Sequence, residues 1–393
     1  MKHLIQLYLL VIIISLGFTS CNSKEEFTPY KRAEISLLKG FPKSENGYEL
    51  GVSAAYAGLI GDELLLVGGC NFPETPAADG GVKQFYKGIY AVNTHSTDSE
   101  NLDWRKVGDL PECSAYGVSV VTENGLVCVG GSNSKGAHNR VWQISLEGDT
   151  ASVLELPSLP WGIDNMAGTI YKNKITLVGG SKGGNPTSQV LSLDLNNLTE
   201  GWVVLEDFPG NRRTQSIAFA SNDSLFVWGG FAGSTSSNRA SLNVDGILLN
   251  ENHWHSLPSP NTSNGEALSL GGATVVNLDN GYFVAMGGVN KTIFLEALQR
   301  EELMKSTTDS LLLDDLRLES KFYMNHEPDW YQFNSTVLLY STKNREWIDL
   351  GLYAETARAG AIAVKVKENL VYLLGGELKP GVRTPHCVAI TLK

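Results

Sequence analysis

The chain has 393 residues, 42% of them hydrophobic and 19% charged, which is ample apolar material for a large folded core. Asp and Glu number 42 against 31 Lys and Arg, and the resulting net charge of −11 argues against a nucleic-acid partner. Five scattered cysteines without CxxC spacing argue against zinc.

The first 21 residues, MKHLIQLYLLVIIISLGFTSC, read as a lipoprotein-type signal peptide. They have a basic start at Lys2, an apolar run from Leu7 to Ile14 and small residues before Cys21; the run is shorter than the roughly 20 residues that span a bilayer. Cys21 is the expected lipidation site. Residues 22–30 form an acidic linker, and NSKEEF resembles the surface-export tag of Bacteroidetes-type lipoproteins. The expectation is an exported protein, attached through its lipid alone to the periplasmic or outer face of a Gram-negative outer membrane.

Six repeats fill residues 31–393. Each is an apolar strand ending in Gly-Gly, at Gly68-Gly69, Gly130-Gly131, Gly179-Gly180, Gly229-Gly230, Gly287-Gly288 and Gly375-Gly376. Most spacings lie near the kelch period of about 50 residues. An apolar strand and a turn precede each doublet. Most are followed by a third strand and a fourth carrying a tryptophan: Trp104, Trp202, Trp254 and Trp347. This predicts an all-β fold, a six-bladed kelch propeller. The sixth repeat runs out of chain after HCVAITLK, so RAEISLLKG near the N-terminus is expected to complete that blade and close the ring.

The long stretch after Asn290, residues 291–328, is rich in Leu and Glu and free of proline until Pro328, and predicts one or two amphipathic helices. It leaves from a loop at one mouth of the channel, as a solvated excursion or as a lid. Asn124-Gly125 reads as a two-residue hairpin that sets Cys128 opposite Val121, away from Cys113. Cys70, Cys113, Cys128 and Cys387 are read as small buried residues. His253 and His255 alternate on an outer strand and the other histidines are dispersed, so neither a metal nor another cofactor is expected.

In a four-stranded blade, the loop from the second to the third strand and the loop leading into the next blade emerge on one face. The residues after the doublets therefore ring one mouth: Asn71, Asn133, Lys182, Asn290 and, as the one carboxylate in the set, Glu377. The other loops at that mouth bring Tyr116, Asp164, Asn165, Arg212, Arg213 and Arg358. One acid among arginines and amides suits an anionic, hydroxyl-rich ligand. Glu377 would act as base, with a salt bridge to Lys379 or Arg383 as the structural alternative. Arg383 is placed on the ligand carboxylate, where bidentate geometry favours arginine.

GGELKPGVRT, GGVNKTIF and AYGVS, with the helical insert after GGVN, resemble the N-acetylneuraminate epimerase family of bacterial kelch mutarotases. The order of the segments is rotated relative to that family, as in its cyclically permuted relatives, and the likeness extends over nearly all of residues 30 to 393. The resemblance implies anomeric interconversion of sialic acid, with Glu377 as proton acceptor, Arg383 as its companion, and substrate contacts from Arg213, Arg358, Asn290, Tyr116, Asn165 and Asn71. It implies a small sugar acid as partner and leaves the oligomeric state open. The sequence departs from that family at Cys113-Ser114, where an arginine precedes the tyrosine in the sialic-acid enzymes. A different class of function, a lipoprotein that binds glycans or proteins through the same mouth without catalysis, fits the same fold.

Overall fold

The structure, a computed structural model, describes residues 30–95, 100–262, 264–279 and 281–393. The signal peptide, Cys21 and nearly all of the acidic linker lie outside the described residues. Among those residues no helix is long and apolar enough to cross a membrane.

Six four-stranded antiparallel sheets stand around an axis. The first is Tyr56–Ile60, Glu63–Val67, Gly88–Asn93 and Arg105–Asp109, in that order from the centre outward, and the next four repeat the pattern. The sixth takes Ile362–Lys367, Leu370–Leu374 and Cys387–Leu392 from the C-terminal end of the chain and Ala33–Leu38 from the N-terminal end. That last strand pairs antiparallel with Cys387–Leu392 over six registered positions, Ala33 opposite Leu392 through Leu38 opposite Cys387. The N–H groups of Lys31 and Arg32 both reach the Lys393 carbonyl.

Each second strand is buried on both faces, so its side chains serve two cores at once. Leu64 and Leu66 pack towards blade six, while Leu65 and Val67 pack towards blade two. The hydrophobic interior is accordingly six separate clusters, one in each gap between neighbouring blades. Burying such side chains contributes roughly 1.5–3 kcal/mol apiece, and all of it depends on the neighbouring blade being in place.

The Gly-Gly doublets secure the same gaps. At Gly179 φ is 66°, and a Cβ there would stand 2.3 Å from the Arg213 carbonyl oxygen of the next blade. The following N–H, of Gly180, donates to that same oxygen at 2.8 Å. A side chain would therefore hold two blades apart where a backbone bond now joins them.

One local expectation is corrected. Thr122 pairs with Gly125, so the turn is Glu123-Asn124, and Cys128 lies opposite Ser119 while Val121 faces Leu126. The Thr122 hydroxyl, which accepts from Asn124 N–H and donates to the Gly125 carbonyl, pins that register. The four cysteines among the described residues are free, with Cys70, Cys128 and Cys387 buried and Cys113 partly so.

The insertion forms two helices, α1 (Lys291–Ser306) and α2 (Ser310–Asn325), followed by a short 3-10 turn at Pro328–Tyr331. Side chains cap both helices: Asn290 accepts from the N–H groups of Thr292 and Ile293, and Asp309 from those of Leu311 and Leu312.

Candidate active site

The chain enters each inner strand through one residue in the left-handed conformation: Ala54, Tyr116, Asn165, Gln215, Gly272 and Gly360, with φ of 55°, 63°, 55°, 51°, 72° and 60°. The N–H of each donates to the carbonyl of its counterpart in the preceding blade. Tyr116 donates to Ala54, Asn165 to Tyr116, Gln215 to Asn165, Gly272 to Gln215, Gly360 to Gly272 and Ala54 back to Gly360, at 2.7–2.9 Å. Six hydrogen bonds thus close a collar around the channel. The conformation costs the four non-glycine residues on the order of 1–3 kcal/mol each, and the collar satisfies the backbone groups that it leaves facing the axis.

A cavity of 440 Å³ runs through this collar, lined by all six of its residues and by Ser53, Phe72, Lys83, Met324, Glu377 and Arg383 among others. Its size falls within the roughly 300–1,000 Å³ of small-molecule sites.

Glu377 and Arg383 face one another across the two-stranded hairpin Glu377–Lys379/Val382–Arg383 of blade six. The Pro380-Gly381 turn between them has a purpose. With φ of 82°, Gly381 directs its N–H to Glu377 Oε1 at 2.6 Å. Arg383 Nη1 stands 2.9 Å from the same oxygen as an ion pair without an aligned N–H. Both contacts fall on Oε1, so Oε2 carries no protein hydrogen bond among the described residues. The guanidinium is held further by Nε donating to Ser53 Oγ at 3.0 Å and by the Phe72 ring, 4.9 Å from Cζ. Its side chain is 4% exposed. Burial works to lower the Arg383 pKa, but Glu377 and Tyr116 outweigh it and the net shift is upward. Arg383 is therefore paired with Glu377 and Ser53 while it lines the cavity, where the sequence reading places it on the ligand carboxylate.

Tyr116 and Asn165 also meet at the cavity. Burial holds the Tyr116 phenol well above its ordinary pKa, so it stays protonated, and its oxygen accepts from Lys83 Nζ at 2.8 Å. Asn165 bridges two blades, donating to Asp164 Oδ1 and accepting from Gln215 Nε2, each at 3.0 Å. Burial raises the Asp164 pKa, against the lowering effect of its hydrogen bonds to Asn165 and Ser132.

Four expected ligand contacts are not brought to this cavity. Arg213 is 2% exposed and donates to the carbonyls of Gly229 and Asp245 and to Asp245 Oδ2. Arg358 is 3% exposed and donates to the Gly375 and His386 carbonyls at 2.8 Å each, with burial lowering its pKa to about 10. In both, the guanidinium ties the first glycine of a doublet to the start of the third strand. Asn71 is spent on the Gly47 and Gly51 carbonyls and the Tyr86 hydroxyl. Asn290 caps α1 beside a separate pocket.

Sequence reasoning missed Ser53, Phe72, Lys83, Gln215 and Met324. A signal for Gln215 was present. Ala54, Tyr116, Asn165 and Gln215 each precede the first glycine of their doublet by fourteen residues, and Gly272 and Gly360 by fifteen. The extra residue in those two blades is taken up by a bulge, between Asn277 and Asp279 and between Lys365 and Lys367. Lys83 and Phe72 lie inside the long second-to-third loop of blade one, where no spacing marks them.

The helical insertion lies over the mouth. Met324 of α2 reaches the cavity, α2 packs on the Ala77–Asp79 turn of blade one, and Lys379 Nζ donates to the His326 carbonyl at 2.6 Å. Phe294 of α1 meets Phe231 of blade four edge to face.

The sequence profile of the N-acetylneuraminate epimerase family matches residues 14–153 and 156–393. The chain belongs to this family. Among curated members it is similar to the N-acetylneuraminate epimerase of Vibrio cholerae serotype O1, 30% identical over 230 residues, which is 58% of this chain and 57% of that one. The enzyme of the same name from Salmonella enteritidis PT4 is 28% identical over 237 residues, 58% of this chain and 56% of its own. The chain thus spans little more than half the length of the curated epimerases it matches. Among solved structures, the one titled Structure of YjhT superposes with a TM-score of 0.60 at 14% identity, covering 91% of this chain and 97% of the other, a likeness of fold. Among the described residues of this family member, no three His, Cys, Asp or Glu side chains gather where they could hold a metal.

Proposed function

We propose that the protein is a mutarotase of a sugar acid, interconverting the α and β anomers of N-acetylneuraminate through the open-chain ketone. The observation that carries this reading is the Glu377 carboxylate at the cavity, with Oε1 held by Gly381 and Arg383 and Oε2 without a protein hydrogen bond among the described residues. Membership of a family named for this epimerisation supports the choice of substrate.

The chemistry asks for little. Oε2 takes the proton of the anomeric hydroxyl while the ring oxygen receives one, the C2–O6 bond opens, the ketone turns, and the ring closes on its other face. Tyr116, kept protonated by burial, supplies an O–H to the ring oxygen. General acid–base catalysis of this kind contributes about 10²–10⁴-fold, which matters for a reaction that already proceeds in water. The helices over the mouth would keep solvent from the open-chain intermediate. Export, with a lipid on Cys21 holding the propeller at the periplasmic or outer face of the outer membrane, belongs to the same proposal.

The test is the rate of anomer exchange of N-acetylneuraminate measured by proton NMR. Wild-type protein should accelerate it, and Glu377→Gln, which keeps the size and the Gly381 bond, should lose about 10²–10⁴ of that acceleration while still binding the sugar. Binding by the wild type without acceleration would turn the reading into that of a glycan-binding lipoprotein.

A further inference from the structure

Lys83 stands in the cavity as a cation without an ion pair. Its Nζ donates to the Tyr116 hydroxyl at 2.8 Å, and lies 4.7 Å from the centre of the Tyr116 ring and 5.8 Å from that of Phe72. Among the described residues no carboxylate comes within ion-pair distance of it, although its charge acts on Asp164. A half-buried ammonium of this kind has two donors left over, and desolvation makes leaving them unmet costly. Arg383, the other cation at the cavity, is already bound to Glu377 and Ser53.

Covalent geometry narrows what Lys83 can meet. In a 2-keto sugar acid the carboxylate, the anomeric hydroxyl and the ring oxygen are all attached to one carbon. A group that binds the carboxylate must therefore stand next to both the base and the acid. Lys83 stands beside Tyr116, and it shares the Phe72 ring with Arg383, the partner of Glu377.

Resting on the mutarotase reading, we infer that Lys83 is the specificity-determining anchor for the substrate carboxylate, and so selects 2-keto sugar acids against neutral sugars. The anchor is uniform: the carboxylate keeps its charge and its place from ring-closed substrate to open-chain ketone, so the part of the loss that is specific to the acid should fall on KM, whereas any effect through the bond to Tyr116 falls on acid and ester alike.

The experiment compares N-acetylneuraminic acid with its methyl ester, which keeps the anomeric centre and removes the charge. Anomer exchange and binding are both measured, with wild type, Lys83→Met and Lys83→Arg. Wild type should prefer the acid. Lys83→Met should lose about 10–100-fold more in kcat/KM on the acid than on the ester, as expected for a charge-assisted hydrogen bond, and so abolish the preference. Lys83→Arg should restore much of it. An unchanged thermal midpoint guards against a folding defect. Equal loss on acid and ester, or a preserved preference in Lys83→Met, overturns the inference. If wild type catalyses neither, the mutarotase reading fails, and the anchor is judged by affinity alone: acid binding better than ester to wild type and equally to Lys83→Met upholds it, and any other pattern overturns it.

Discussion

At His138 burial opposes charge. The Arg140 N–H points at Nδ1 (3.3 Å), so the ring proton sits on Nε2 and meets Ser114 Oγ at 2.7 Å, and that hydroxyl in turn meets the buried Tyr56 phenol. A second proton would land on Nδ1 against an N–H. Burial lowers the His138 pKa below its ordinary 6.5, with Glu112 opposing and Arg140 assisting. A depressed histidine pKa contributes stability that is present above the unfolded value and is lost as pH falls through the folded one. Thermal midpoints measured from pH 7.5 down to 5 should therefore drop for the wild type and drop less for His138→Gln; equal slopes would remove His138 from the account. The same scale explains what could be read beforehand. Glu377 stood out because it is a carboxylate at a position where the other blades carry small, neutral or basic residues. Arg213 and Arg358 misled because an arginine that fills the inside of a blade and one that waits for a ligand look alike in sequence; only their distance from the axis separates them. Lys83 was invisible for the opposite reason, since its place is set by the course of a long loop and not by the repeat.

Elements were more legible than residues because strands, doublets and tryptophans recur with the blades. The insertion was readable as helices from its composition, while its position had to come from contacts. Its far end is held by Lys379, two residues from Glu377 in the same hairpin, through the bond to the His326 carbonyl. Lys379→Met should loosen that end without disturbing the propeller. Amide hydrogen exchange should quicken across the last turns of α2, residues 319–325, while the six blades exchange as before. No change in exchange there would mean that packing on the Ala77–Asp79 turn, and not the lysine, fixes the helix. The Cys128 register shows the limit of turn rules: Asn-Gly favours a hairpin, but the Thr122 hydroxyl decides which two residues make it.

For the whole molecule, six cores shared between neighbours mean that no blade has an interior of its own, and the ring is stable only when closed. Closure rests on Ala33–Leu38, which carries Ala33 and Ile35 to the gap with blade five and Leu38 to the gap with blade one. A chain lacking residues 30–38 would leave Cys387–Leu392 as an unpaired edge, a template for pairing with other molecules. Size-exclusion chromatography should find that chain self-associated, and a peptide of residues 30–40 added in trans should return it to the size of the intact protein by strand addition. A monomeric, equally heat-stable truncated chain would show that the ring holds without its clasp. The clasp also has a mechanical meaning. Its strand has one neighbour, and its leading end is where Lys31 and Arg32 meet the Lys393 carbonyl. A pull on residue 30 away from the rim would meet those bonds in single file, as a zipper does, and not all together in shear. Such a pull would open the clasp from the Lys393 end and reach last the pairing of Leu38 with Cys387, next to the hairpin that holds Glu377 against Arg383.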